Sequence, residues 1–151
     1  MRVTKKIRQF GMHKHFDQVA HAKYDSVARK TARSFWSHNG WTVTDHPNEY
    51  AVDLMAEKDC KRVYIEVEVK RGWHGERFQY DTVHLPLRKA KFLDKPTKFM
   101  VFNHSLTHAA LFGRRAIQNS TISVVPNSQV SSGEKFYNIP VGDVKFICTL
   151  T

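Results

Sequence analysis

The chain has 151 residues and a formal net charge of +10, because 24 lysines and arginines outnumber 14 aspartates and glutamates. Its hydrophobic content of 41% is enough for a core and excludes a largely disordered protein, while two cysteines are too few for a disulfide framework. Apolar runs of about four residues are far shorter than the ~20 that cross a bilayer, so we expect no membrane partner, no secretory signal and a reduced, cytoplasmic location.

Hydrophobic periodicity predicts one domain over residues 16–151, preceded by a flexible basic arm at residues 1–15. Apolar positions spaced by three and four predict a helix from Asp17 to His38, which the Asn39-Gly40 pair would end. The elements predicted next are strands at Trp41–Thr44, Tyr50–Glu57 and Arg62–Lys70, a short helix at Leu87–Leu93, a strand at Lys98–Asn103, a helix at Leu106–Ile117 and a strand at Thr121–Val125. The polar turn at residues 58–61 would make a hairpin of the second and third strands, and residues 134–147 should pack back on the body.

The third predicted strand has an acidic face inside a very basic protein. Alternation places residues 65, 67 and 69 on one face, and the residues on the opposite face are Tyr64, Glu66, Glu68 and Lys70. If the two hairpin strands pair, Asp53 and Glu68 converge across them. Carboxylate oxygens gathered in this way suit Mg²⁺ or Mn²⁺. Two alternatives are an ordinary solvent-exposed polar face and a structural ion-pair network that binds no metal.

Asp53, followed after fourteen residues by Glu68-Val69-Lys70, resembles the motif of the PD-(D/E)XK nuclease superfamily. The predicted order of elements over about residues 20–125 is also similar to that family. The resemblance implies an α/β fold with a restriction-endonuclease-like core, in which helices flank a mixed central β-sheet. It further implies that Asp53 and Glu68 bind the metal, with the backbone carbonyl of Val69 completing its shell. Lys70 would position or activate the attacking water, or stabilise the pentacovalent phosphate.

The sequence departs from this family pattern at several positions. Val52 stands where the family usually has a proline, and the additional glutamate of the family's first helix is missing. Asp25 is the nearest substitute as a ligand, and a solvent-facing helix acid is the alternative for it. Glu66 shares a face with Glu68 and is a second candidate ligand. We rank it behind Glu68, which has the motif spacing to Lys70.

The basic residues indicate a polyanionic partner, because lysine and arginine release counterions from a phosphate backbone. Residues 1–38 alone have a local net charge of +7. The candidate phosphate contacts on the first helix are Lys23, Arg29, Lys30 and Arg33. The candidates after the catalytic strand are Gln79, Tyr80, Arg88, Lys89 and Lys91. For this second group, an ordinary surface loop leading into a basic helix is the alternative.

These observations predict a Mg²⁺-dependent endodeoxyribonuclease that hydrolyses phosphodiester bonds of DNA. Because the sequence offers no separate recognition domain, a structure-selective enzyme such as a junction resolvase is preferred over a site-specific one. A homodimer would provide two active sites. RNA is the alternative substrate, and a non-catalytic nucleic-acid-binding protein on the same fold is the alternative function.

Overall fold

Residues 26–47, 52–125 and 133–150 are described by a computed structural model, and within these ranges the chain forms one six-stranded and one three-stranded sheet. The first helix, α1, covers residues 26–38 of the described part. The strands of the large sheet are β1 (Thr42–Asp45), β2 (Leu54–Lys58), β3 (Lys61–Val69), β5 (Thr97–Phe102), β6 (His108–Phe112) and β9 (Lys145–Cys148). The strands of the small sheet are β4 (Thr82–Pro86), β7 (Thr121–Val125) and β8 (Glu134–Pro140). The other helical segments are α2 (Arg114–Gln118) and two 3-10 helices, Leu87–Asp94 and Val141–Asp143.

The large sheet is mixed, with the strand order β1-β2-β3-β5-β6-β9. Strands β1, β2 and β3 pair antiparallel, β3 pairs parallel with β5, and β5, β6 and β9 pair antiparallel. The predicted hairpin is confirmed as β2–β3. Its two-residue turn consists of Asp59 and Cys60, which both have positive φ, 51° and 64°. That geometry matches the twist of the flanking strands and fixes the register of the hairpin.

Each face of the large sheet has its own core. On one face, Ala28, Ala32 and Trp36 of α1 recur at helical spacing and pack against the sheet. Their main partners in the sheet are Leu54, Ile65, Met100 and Phe102. On the other face, the small sheet and α2 cover a second cluster that includes Phe99 and Val101 of β5. The central strands are therefore buried on both sides.

The helix predicted at Leu106–Ile117 is wrong. Residues 108–112 form the strand β6, and only Arg114–Gln118 is helical. Because β6 lies between the two cores, Ala109 packs with one cluster and Ala110 with the other. A strand buried on both faces loses the alternation of apolar and polar residues that identifies a strand in a sequence.

The predicted mixed α/β architecture is confirmed, but strands dominate it. Helix α1 covers one face of the large sheet, whereas the other face is covered mainly by the small sheet, the Leu87–Asp94 3-10 helix and α2. The predicted helix at Leu87–Leu93 is the 3-10 helix, and the tail packs back as β8 and β9. In the described ranges no helix is long and apolar enough to cross a membrane. The predicted basic arm, Lys23 and Asp25 lie outside the described residues.

Candidate functional site

The hairpin register brings Asp53 next to Glu66. Leu54 is paired with Ile65, so Asp53, one residue before β2, lies beside Glu66 on β3. The Val67 amide donates a hydrogen bond of 2.8 Å to Asp53 Oδ2, which fixes the carboxylate against β3. From α1, Arg29 Nη1 lies 3.9 Å from Asp53 Oδ1. The sequence predicted that Asp53 would converge with Glu68, whereas the register makes Glu66 its direct neighbour.

Glu66 is the most deeply buried acid of this group. It is 4% exposed, and its side chain is within hydrogen-bonding reach of the Asp53 carboxyl. Burial and, next, the negative charge of Asp53 raise the pKa of Glu66 to about 8, although Lys89 opposes them. Burial also raises the pKa of Asp53, although the Val67 hydrogen bond opposes this. Two crowded carboxyl groups of this kind favour either a shared proton or a cation between them.

Lys89 supplies the nearest cation within the described part of the chain. It extends from the Leu87–Asp94 3-10 helix, forms a close ion pair with Glu66 Oε2, and places Nζ 2.7 Å from Glu68 Oε1. Burial lowers the pKa of Lys89, but the charges of Glu68 and Glu66 outweigh burial and raise it overall. We predicted Lys89 as a phosphate contact, and the structure instead places its side chain, 12% exposed, between two acids. No local sequence spacing signals this, because the 3-10 helix reaches β3 only through the tertiary fold.

Lys70 follows the last residue of β3, Val69, and its amide donates to the Phe102 carbonyl at 2.8 Å. Its Nζ lies 4.9 Å from the centroid of the Tyr80 ring. Burial lowers the pKa of Lys70, and no described carboxylate forms an ion pair with it. Burial, and next the charge of Lys70, lower the pKa of His84 on β4, which places a second titratable group beside this lysine.

The other predicted phosphate contacts within the described residues have different surroundings. Lys30 and Gln79 are exposed, and Arg33 forms an ion pair with Asp45 of β1. Arg88 Nε lies 3.4 Å from Glu134 Oε2, and Lys91 Nζ lies 5.1 Å from the centroid of the Phe92 ring. Tyr80 is half exposed beside Lys70.

The oxygen atoms around Asp53 suit a hard divalent cation that takes only a few of its ligands from the protein. Mg²⁺ typically takes one or two carboxylates and leaves its other positions to water and phosphate. The adjacent Asp53 and Glu66 side chains provide two such carboxyl groups. Within the ranges described, no three histidine, cysteine or acidic side chains are grouped as a metal cage. A site here would therefore depend on substrate oxygens to complete it.

No protein-family model matches the chain, and no curated protein is similar to it in sequence. The function has to be inferred from the residues of the site. Those residues are a pair of crowded carboxyls, a third acid joined to them through Lys89, and a half-buried lysine at the end of the same strand.

Proposed function

We propose that the protein is a metal-dependent nuclease that hydrolyses phosphodiester bonds of DNA, on a restriction-endonuclease-like core of the PD-(D/E)XK type. The observation that carries the proposal is the buried Glu66 carboxyl held against Asp53 in a protein of net charge +10. Two buried carboxyl groups this close repel each other when both are charged, so they share a proton or hold a cation, and we infer that a divalent cation binds between them.

Asp53 and Glu66 would hold Mg²⁺ or Mn²⁺, with Glu68 as the third acid and the Val69 carbonyl as the ligand that the family resemblance adds. A bound ion would neutralise charge on the phosphate oxygens and lower the pKa of a bound water. This assignment ranks Glu66 above Glu68, the reverse of the sequence-based order. The reason is that the hairpin register pairs Glu66 with Asp53, whereas Glu68 contacts Lys89.

Lys70 would act next to the metal ligands, at the end of the strand that carries them. Its ammonium is half buried and makes no ion pair with a described carboxylate, so it is available for a phosphate oxygen or for the attacking water. Because burial lowers its pKa, proton transfer by Lys70 is easier than it would be for an exposed lysine. Arg29 approaches Asp53 from α1 and would contact the phosphate on the opposite side.

One observation favours a second candidate, a non-catalytic nucleic-acid-binding protein. Lys89 already pairs with Glu66 and Glu68, as it would in a purely structural ion-pair network. In that case the acids need no metal. Removing an acid should then strengthen DNA binding, with or without metal, by relieving repulsion of the phosphates.

Cleavage assays separate the two functions. The purified protein would be incubated with Mg²⁺, Mn²⁺ or Ca²⁺ and a panel of duplex, single-stranded and branched DNA and RNA. We expect cleavage of DNA with Mg²⁺ or Mn²⁺, binding without cleavage in chelator, and poor cleavage with Ca²⁺, whose coordination is looser. Calorimetry should show metal binding that Asp53→Asn abolishes and that Glu57→Gln, an exposed acid of β2, leaves unchanged. Absence of both cleavage and Asp53-dependent metal binding would overturn the nuclease proposal.

A further inference from the structure

A cleft of about 550 Å³ lies next to the loop that follows β3, and four aromatic side chains form part of its wall. The rings of Trp73, Phe78 and Phe146 contact one another, with centroid separations of 5.1 Å for Trp73–Phe78, 5.5 Å for Phe78–Phe146 and 6.0 Å for Trp73–Phe146. Tyr80 extends this group, because its ring centroid lies 5.3 Å from that of Phe78. The volume is within the range of small-molecule binding sites.

The outer rings of the cleft are open to a ligand. Tyr80 is 44% exposed and Phe146 is 42% exposed, whereas Trp73 is completely buried and forms the back wall. Because Trp73 is buried, it cannot stack on a base itself. Its indole nitrogen donates to the Arg77 carbonyl at 3.1 Å, which holds the loop that carries Phe78. The cleft therefore has exposed aromatic rings at its edge and a buried ring at its base.

Tyr80 joins the cleft to the candidate active site. The Lys70 ammonium lies 4.9 Å from the centroid of the Tyr80 ring, and Tyr80 also lines the cleft. A base is connected to its phosphate through a single sugar. A strand with a phosphate at Lys70 could therefore place a neighbouring base against Tyr80 and Phe146.

The charged groups of the cleft fit a nucleotide better than a purely apolar ligand. Arg77 lines the cleft and is exposed, so it can contact a phosphate of the same strand. Glu76 is the acid of the lining; its Oε1 lies 3.9 Å from His108 Nε2, and its side chain is almost fully solvated. Water screens that acid, so it opposes a polyanion only weakly.

We propose that this cleft binds an unpaired nucleobase, so that the preferred substrate is DNA with unpaired bases beside the scissile phosphate. The inference rests on the proposed nuclease function and specifies its substrate class. Aromatic rings stack on any base, but a base inside a duplex has both faces covered by its neighbours. A cleft lined by Tyr80 and Phe146 therefore selects single strands, flaps and branch points over continuous duplex.

Stacking can be measured directly with an oligonucleotide that contains the fluorescent base 2-aminopurine. Titrations in Ca²⁺, which should limit cleavage, would compare a single strand, a flap and a matched duplex. We expect the wild type to quench the probe in the single strand and flap. Tyr80→Ala and Phe146→Ala should each weaken single-strand binding by about tenfold and leave duplex affinity within about twofold. Tyr80→Phe, which keeps the ring, should bind as the wild type does.

Ile122→Ala is the matched control, because Ile122 is an exposed apolar residue of β7 outside the cleft. Lack of quenching by the wild type would overturn the base site without any variant. Equal losses of single-strand and duplex affinity in the two alanine variants would also overturn it. The nuclease function is judged separately by cleavage in Mg²⁺. Cleavage without quenching removes only the base site, whereas quenching without cleavage under any divalent ion retains the base site and removes the nuclease.

Discussion

The two faces of β3 carry different kinds of side chains, apolar on one face and acidic on the other. Ile65 and Val67 point to the core under α1, where they pack with apolar side chains. Glu66 and Glu68 point to the other face, where Lys89 is their main neutralising partner. Alternate residues of β3 thus face an apolar core on one side and a cluster of ionisable side chains on the other.

The difference indicates that the cluster of ionisable side chains is not there for stability. Apolar burial stabilises the fold by about 25 cal/mol per Å² removed from water, whereas desolvation of charges offsets most of the attraction within a buried ion pair. The neighbours of Glu66 and Glu68 on the adjacent strand are Phe99 and Val101, which belong to the apolar core. Acids at these positions are consistent with the proposed metal site.

The largest expected effect is the loss of catalysis from the charged face. Asp53→Asn keeps an oxygen that accepts from the Val67 amide but removes the charge, and Glu68→Ala removes the third acid. We expect DNA cleavage in Mg²⁺ to fall about 1,000-fold for Asp53→Asn, since a metal contributes several kcal/mol to the transition state. Lys70→Ala should lower the rate far more than the affinity. Normal thermal unfolding should accompany each loss, and full activity of Asp53→Asn would contradict the proposed site.

On the apolar face, Ile65→Ala should reduce stability instead of chemistry. Ile65 is completely buried in the core under α1. Replacing it with alanine leaves a cavity, which we expect to lower the free energy of unfolding by about 2–5 kcal/mol. Urea unfolding measures the change, and cleavage below the unfolding transition should persist. A loss of cleavage in a fully folded Ile65→Ala protein would show that the two faces are not independent.

Removing the cation tests whether the charged face needs a partner. Lys89→Met keeps the length of the side chain but leaves Glu66 and Glu68 without their ammonium, and we expect a loss of about 1–3 kcal/mol in the free energy of unfolding. Lys91→Met, at an exposed position of the same 3-10 helix, is the control and should change stability by less than about 0.5 kcal/mol. Mg²⁺ should restore stability to Lys89→Met more than to the wild type. Equal stability of the two variants in chelator would count against the buried ion pair.

Glu66 should also confer a pH dependence on stability. Because the pKa of Glu66 is about 8 in the folded protein against 4.5 ordinarily, the folded state retains a proton that the unfolded state has lost. Stability should therefore fall as pH rises from about 4.5 to about 8 and then level off. Asp53, Glu68 and Lys89 face the same group, so the comparison is between wild type and Glu66→Gln in chelator. The variant should reduce the fall in Tm by a few degrees; identical profiles would refute the raised pKa.

The sequence determined those features that arise from neighbours along the chain. The apolar spacing that includes Ala28 and Ala32 predicted α1, and the short polar turn predicted the β2–β3 hairpin. Pairing of the two strands predicted that Asp53 lies with the acids of β3, although Glu68 was the expected neighbour and the register gives Glu66. These features depend on residues that are close together in the sequence, so the local backbone geometry determines them.

Only the tertiary structure decided which distant elements meet. Strand β6 reads as a helix because both of its faces are buried, and that burial exists only once α1 and the small sheet have packed on the large sheet. The ion pairs of Lys89 depend on the 3-10 helix lying against β3, and the ranking of Glu66 over Glu68 depends on the register of β2. The aromatic cleft forms only where β9 lies next to the loop that follows β3. Packing and desolvation act between residues far apart in sequence, so no periodicity or spacing in the chain reveals them.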